Sequence, residues 1–522
     1  MLPRAVDHRP VSPPASARRD QALQACLNGA RALQIGSTAQ ALKHYTHAVS
    51  LAPDDAEIAA LHGVALRGVA RLSDAQRELI RAIALDPQRA DSYTQLAQTY
   101  RMAGDRAQAA QAFLMAATLR TRDATAWRDA AESLRLADRL DDGLRAAQHA
   151  ATLAPDDASI ANTTALLLHR GGRLHEALEL CERVRATAKD DVHLALTHGM
   201  LCRTLGRHDV GWALYERRLE LPAFTQRPFA STSQRWDGAP LDGRSILVRA
   251  EQGLGDQLHF GRWATLLRAR GAAHVIVQCA TPLVRLLRTL PGVDSVVASD
   301  RPAPPHAVHV DCCSLPHLLW TGGEMLGHLV PYLHPVNADG RADGRADGSA
   351  DGSADAVQSA TRDARFRVGI VWSGSPLQED NRFRSIPLAQ LLPAITRPDV
   401  EIVVLQQGPG RTQLDALDGS ARAALTDVAP SCADMYDTAL AAAQCDVVLS
   451  VCTSVVHLAG ALGLPTWLML GTPAEWRWGA EGERTALYPT MRLFRQQRAG
   501  DWSTVLQTVR NALSAAIAAR QQ

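Results

Sequence analysis

Short loops hold the side chains of this sequence that are best suited to chemistry. One reads Glu251-Gln252-Gly253-Leu254-Gly255-Asp256-Gln257 and runs into an amphipathic stretch, LHFGRWATLLRAR. Glycines one residue apart let a backbone approach a substrate closely, which makes Gln252, Gly253 and Gly255 an acceptor-side loop. An aspartate at the head of the helix that follows can take the proton from an attacking hydroxyl, and Asp256 stands there. The same carboxylate suits a plain helix cap, accepting a backbone N–H, so spacing leaves both roles open.

A second loop joins the small turn Trp372-Ser373-Gly374-Ser375-Pro376 to the cations of Asn381-Arg382-Phe383-Arg384-Ser385. Ser373 and Gly374 can present backbone N–H groups to an anion, and Arg384 or Arg382 can bind a diphosphate through its planar fork, or be a surface charge. Gln406, in Gln406-Gln407-Gly408 after a strand, is placed to edge a nucleotide base. The segment LSVCTSVVHLAGALGLPTWLML puts Thr453 and Ser454 at a helix N-terminus, where hydroxyls, free N–H groups and the positive dipole end suit a phosphate. Either residue is also an ordinary N-cap, and His457 one turn later is a donor-side contact or a packing histidine. No Cys-His-Asn arrangement supports Cys452 as a nucleophile. Trp476 and Trp478 of EWRWG can stack on a sugar or base, or fill a core.

These loops follow apolar runs of strand length. SILVRA (245–250), HVIVQC (274–279), SVVAS (295–299), HVDCC (309–313), FRVGIVW (366–372), EIVVLQ (401–406), DVVLSV (446–451) and TWLMLG (466–471) alternate with helical stretches. Such alternation argues for parallel sheets covered by helices, with ligands bound beyond the carboxyl ends of the strands. The tandem NADGRADGRADGSADGSADA is too polar to fold and reads as a tether. The expectation is two α/β lobes, 244–335 and 365–522, joined by a low-complexity linker over 336–364, with a cleft between them. PAFTQRPFASTSQRWDGAPLDG marks a further linker over 223–243.

Upstream, residues 21–222 repeat with a period of 34. One phase reads Gly29, Gly63, Ala97, Ala131, Ala165, Gly199, and a second reads Ala41, Ala75, Ala109, Gly143, Ala177, Gly211. Small residues at two fixed points per unit are what two closely crossing helices need. Gly36, Gly104, Gly172 and Gly206 suit a left-handed turn between the helices, and Pro53, Pro87 and Pro155 separate units. The pattern resembles the tetratricopeptide repeat, in six copies after a disordered tail over 1–20. Such a superhelix implies a groove for a protein or peptide partner, or a structural spacer.

Lysine and arginine total 55 against 54 acidic residues, a net charge of +1, which provides no field for nucleic acid or anionic lipid. The first residues lack the apolar core of a secretory signal, and no run approaches the ~18 apolar residues of a membrane span. Nine cysteines show neither C-x-x-C spacing nor a disulfide framework. The chain is expected to be cytoplasmic, with reduced thiols, no transmembrane segment, no metal and no permanently bound cofactor.

Together EQGLGDQLHFGRW, GIVWSGSP with NRFRSIPL, and CTSVVHLAGALGLP are similar to the bacterial glycosyltransferases related to the ADP-heptose lipopolysaccharide heptosyltransferases (family 9-like), in particular those fused to tetratricopeptide repeats. The resemblance implies a multidomain chain: an all-α superhelix followed by an α/β module of two Rossmann-like lobes of the GT-B type. It implies inverting, metal-independent transfer from a nucleotide-sugar held mainly by the C-terminal lobe. On that resemblance the catalytic base falls on Asp256, the phosphate turn on Thr453 and Ser454, and the phosphate-contacting cation on Arg384. The architecture also resembles protein O-glycosyltransferases, including flagellin-modifying ones, which implies a protein or glycan acceptor. One departure is Cys452, where the late turn of that family usually opens with an aspartate. A thiol is a poor acceptor, so a decayed module on a non-catalytic repeat scaffold is the alternative.

Overall fold

Each repeat closes into a hairpin because its small residues sit where two helices cross. The computed structural model describes residues 15–225, 232–320, 327–335, 365–376, 378 and 381–522. The hairpins pair Ala15–Gln34 with Thr38–Leu51, Ala56–Gly68 with Leu72–Leu85, Ala90–Met102 with Arg106–Leu119, Ala124–Leu136 with Leu140–Leu153, Ala158–Arg170 with Leu174–Arg185, and Val192–Thr204 with His208–Tyr215. A Cβ on Gly63 would lie 2.7 Å from Leu79, and one on Gly143 2.7 Å from Leu167, so these crossings exclude a side chain. Asp55, Asp123 and Asp157 start their hairpins by accepting N–H groups two and three residues on. The turns between partner helices are left-handed at Gly36, Gly104, Gly172 and Gly206, and Ala70 and Asp138 take the same conformation at φ 59° and 62°.

Residues 1–14 of the expected tail lie outside the described residues, and helix begins at Ala15. The chain divides into compact units over 1–197 and 198–522, inside the first helix of the sixth hairpin rather than at 222. The physical reason is Trp212, which follows Gly211 of the small-residue phase but whose indole is buried in the core of the second unit.

That second unit holds two parallel sheets. The first contains β1 (Gln234–Arg235), β2 (Ser245–Arg249), β3 (His274–Cys279), β4 (Ser295–Ala298) and β5 (Val308–Asp311), in the order β1-β5-β2-β3-β4. The second contains β6 (Phe366–Val371), β7 (Val400–Val404), β8 (Leu425–Asp427), β9 (Val447–Val451), β10 (Thr466–Leu470) and β11 (Met491–Arg495), in the order β11-β10-β9-β6-β7-β8. All eight apolar runs form strands. The additional ones, β1, β8 and β11, are edge strands whose short or charge-interrupted sequences carry no apolar signature. β1 also lies within the stretch expected to be linker; its pairing with β5 takes up residues 234–235. Residues 226–231 and the expected tether at 336–364 lie outside the described residues.

The sheets do not have separate interiors. One apolar core runs from Val248 and Val277 through Leu258 and Trp263 to Val456, Leu468 and Leu493, and so spans both. A second core covers the other face of the later sheet, under the helix Ser503–Arg520. The cleft expected between lobes is therefore filled where the helices Leu254–Ala264 and Ser454–Ala461 meet.

Candidate functional site

Strand order places the motif loops. In the first sheet β3 and β4 lie on one side of β2 and β5 on the other, so the order reverses between β2 and β5. In the second, β7 and β8 lie on one side of β6 and β9 to β11 on the other, so it reverses between β6 and β9. Neighbouring loops part at such reversals and leave a crevice beyond the strand ends. The Gln252–Asp256 loop follows β2, Ser373–Gly374 follows β6 and Thr453–Ser454 follows β9, so all three stand at reversals.

At the second sheet the features of an anion site come together. Thr453 precedes the helix Ser454–Ala461 in an extended conformation, and its side chain does not cap that helix. Its hydroxyl instead meets Ser450 Oγ at 3.3 Å, leaving the first-turn N–H groups without a side-chain acceptor. Thr453 and Ser454 are half-buried. Arg384 is also half-buried, and its guanidinium lies over Gly374, where a Cβ would come within 2.6 Å of Nη2. Its one hydrogen bond, 3.4 Å to Asn381 Oδ1, is long, and it has no carboxylate partner among the described residues. Its charge reaches Cys452 and His457. Arg382 is exposed, with its guanidinium over the Phe383 ring.

Gln406 takes a different role from the one expected. Its Oε1 accepts the N–H groups of Trp372 and Ser373 at 3.0 and 2.9 Å, and its Nε2 donates to Ser373 O and Gln407 O. A buried amide must satisfy its own polar atoms, and here it does so by shaping the Ser373 turn rather than by edging a base. The Gly374 N–H is likewise taken, donating to Ser385 Oγ at 3.3 Å.

His457 is buried, its Nδ1 3.0 Å from Tyr488 Oη and its ring stacked on Trp478. Burial, helped by Arg477 and Arg262, holds its pKa well below the ordinary histidine value. An uncharged, enclosed imidazole does not neutralise a phosphate, so the packing role is the one realised. Cys452 accepts from Trp478 Nε1 at 3.2 Å, and burial pushes its thiol up to about 11, which keeps it protonated. Trp476 packs edge-on against Trp212, so both tryptophans of EWRWG have partners within the fold.

Asp256 caps its own helix, one oxygen accepting the Gly253 N–H at 3.1 Å. Its other oxygen is paired with Arg477, which also binds Glu475. Gly253 stands clear of other segments, whereas Gly255 approaches the opposite helix: a Cβ there would lie 3.0 Å from His457 and 3.5 Å from Ser454 Cα. Gln252 is left-handed at φ 60°, its amide bonded to Tyr215 Oη. The base candidate and the anion turn are thus on adjoining helices.

Arg477 and Glu475 were not among the sequence candidates, although the arginine between two tryptophans in EWRWG was the available signal. Among the described residues no group of three or more His, Cys, Asp or Glu converges as metal binding requires, and no helix is long and apolar enough to cross a membrane.

No family model matches this chain. Among curated proteins it is similar to Protein FlbA of Caulobacter vibrioides, with 25% identity over 326 residues, covering 59% of this chain and 53% of FlbA. The chain spans about half the length of that relative. Among solved structures it is similar to MamA from Desulfovibrio magneticus RS-1, at 18% identity and TM-score 0.31 over 33% of this chain and 97% of that one. It is similar to Pseudomonas aeruginosa PilF at 17% identity and TM-score 0.33, over 41% of this chain and 97% of that one. It is also similar to YrrB, described as a TPR protein with an unusual peptide-binding site, at 17% identity and TM-score 0.29, over 34% of this chain and 92% of that one.

Proposed function

We propose that this chain transfers a sugar from a nucleotide-sugar to a hydroxyl of a protein or glycan, the repeats recognising the acceptor or a partner polypeptide. The observation that carries the reading is Arg384, without a carboxylate partner and with its charge reaching Cys452 and His457, together with the uncapped N-terminus of Ser454–Ala461 at the reversal between β6 and β9. An unpaired cation and free N–H groups at a strand-order reversal suit a diphosphate. Asp256, on the adjoining helix, takes the acceptor proton as the hydroxyl oxygen bonds to the anomeric carbon. The bond from that carbon to the diphosphate breaks in the same displacement, inverting the centre, and Arg384 with the helix dipole stabilises the departing charge. Both Asp256 oxygens are engaged, one by the Gly253 N–H and the other by Arg477, so Arg477 has to release the carboxylate for this step.

Calorimetry of UDP, GDP and ADP against the full chain tests the proposal. One of them should bind, and Arg384→Gln should weaken it about tenfold or more, the worth of a charge-assisted hydrogen bond. No binding by any of the three ends the transferase reading. The second reading, a repeat scaffold with a non-catalytic module, is favoured by the Asp256–Arg477 pair and by a thiol at position 452. It expects Asp256→Asn to leave the cellular role intact.

A further inference from the structure

We propose that the sixth hairpin and the turn after it brace the candidate site, with Arg203, Tyr215 and Arg218 acting as positioning residues for the loops that carry Asp256 and Arg477. The chemistry served rests on the transfer reading above; the brace itself rests on contacts within residues 198–522.

The brace begins at Glu251, the first residue of the Asp256 loop. Its carboxylate is buried, and Arg218 takes both oxygens, Nε to Oε1 at 2.7 Å and Nη2 to Oε2 at 2.8 Å. Arg218 is itself 2% exposed and is fixed further by Ser314 Oγ and the Tyr215 carbonyl. A buried two-point pair of this kind sets direction as well as position. The next residue, Gln252, is held left-handed without being glycine, a conformation that persists only where neighbours over-determine it. Tyr215 Oη accepts from its side-chain amide and supplies that restraint. Gly253 follows, and its N–H is the one that Asp256 caps.

The same hairpin grips the opposite loop. Trp476, next to Arg477, lies edge-on to Trp212 with ring centroids 5.1 Å apart. The Arg203 guanidinium sits 4.4 Å from the Trp476 ring, 5.0 Å from Trp212 and 4.2 Å from Tyr215. Arg203 is 4% exposed and its Nη1 has no hydrogen-bond partner, so aromatic faces supply much of what stabilises this cation. Burial lowers its pKa to about 10, which still leaves it charged at neutral pH. Tyr215 therefore touches both sides, the Gln252 amide through its hydroxyl and the Arg203 guanidinium through its ring.

The test is amide hydrogen exchange across 250–257 and 475–478 in the full chain, with melting temperature and nucleoside diphosphate affinity measured alongside. Tyr215→Phe keeps the ring and removes only the hydroxyl. It should leave the melting temperature nearly unchanged while exchange across 251–256 quickens about tenfold, with weaker nucleotide binding. Arg218→Lys keeps the charge without the fork and should not preserve the protection. Unchanged protection in both variants overturns the brace, as does a lowered melting temperature with protection of 250–257 intact. If the wild type binds no nucleoside diphosphate but the exchange response appears, the transfer reading falls and the brace stands. If it binds one, and neither exchange nor affinity responds, the reverse holds.

Discussion

His259 and His457 are both folded into the interior near cations, and this gives the second unit an acid-side liability. His259 is fully buried with no hydrogen bond to either ring nitrogen, and its ring centroid lies 5.8 Å from that of His457. Burial, then the charges of Arg477 and Arg262, push both pKa values well below the ordinary histidine value. Above the unfolded pKa of about 6.5 both rings are neutral in either state, and they make no pH-dependent difference. Below it the unfolded chain binds protons that the folded one does not, so stability falls with pH, by roughly 1 kcal/mol per histidine between about pH 6.5 and 5.5. His259→Phe should remove about half of that slope and also stabilise the unit near neutral pH, because an unsatisfied buried polar group is lost. Urea unfolding at a series of pH values checks this; an unchanged acid slope would mean that His259 is protonated in the fold. Position 259 stood in full view in the sequence within LHFGRWATLLRAR, but its burial depends on Trp476 and His457, hundreds of residues or one sheet away.

The elements explain which readings of the loops could be made without coordinates. Glycines at 253 and 255 signalled a close backbone approach, and there is one at Gly255, to the helix Ser454–Ala461. The local pattern fixes that something approaches; only the pairing of the two sheets decides what. Gly253→Ala should therefore be tolerated within about 0.5 kcal/mol, since a Cβ there would have only the Asp256 carboxylate within reach, at 3.4 Å. Gly255→Val should cost roughly 1–3 kcal/mol through overpacking against His457 and Ser454. Urea unfolding of the two variants separates the roles, and equal effects would contradict the helix contact. Strands were legible wherever apolar residues ran together, as in HVIVQC, and hidden in MRLFR, where arginines interrupt the run. The turn glycines were legible because left-handed backbone needs them, whereas Gln406 gave no local sign that its amide would be used up by the Ser373 turn.

Across the whole molecule the 34-residue period and the cores disagree at the sixth hairpin, and unfolding can show which governs. The period sees small residues at Gly199 and Gly211, and the crossing does need them: a Cβ on Gly211 would lie 2.5 Å from Arg203 Cγ. Period reports how two helices cross, however, not which core receives the rest of their side chains. Leu79 packs with Ala59, Ala60 and Leu96 among the repeats, while Trp212 packs with Phe260 and Trp476 and shares its core with residues of the first sheet. Each unit has its own buried interior, so thermal or urea unfolding should show separable transitions. Leu79→Ala should lower the transition of residues 1–197 by about 2–5 kcal/mol, and Trp212→Ala that of residues 198–522 by about 3–5 kcal/mol. Tryptophan fluorescence with limited proteolysis assigns each transition to its unit. If Trp212→Ala instead moved the transition that Leu79→Ala moves, the hairpin would belong energetically to the array, and its grip on the Asp256 loop would be too weak to position anything.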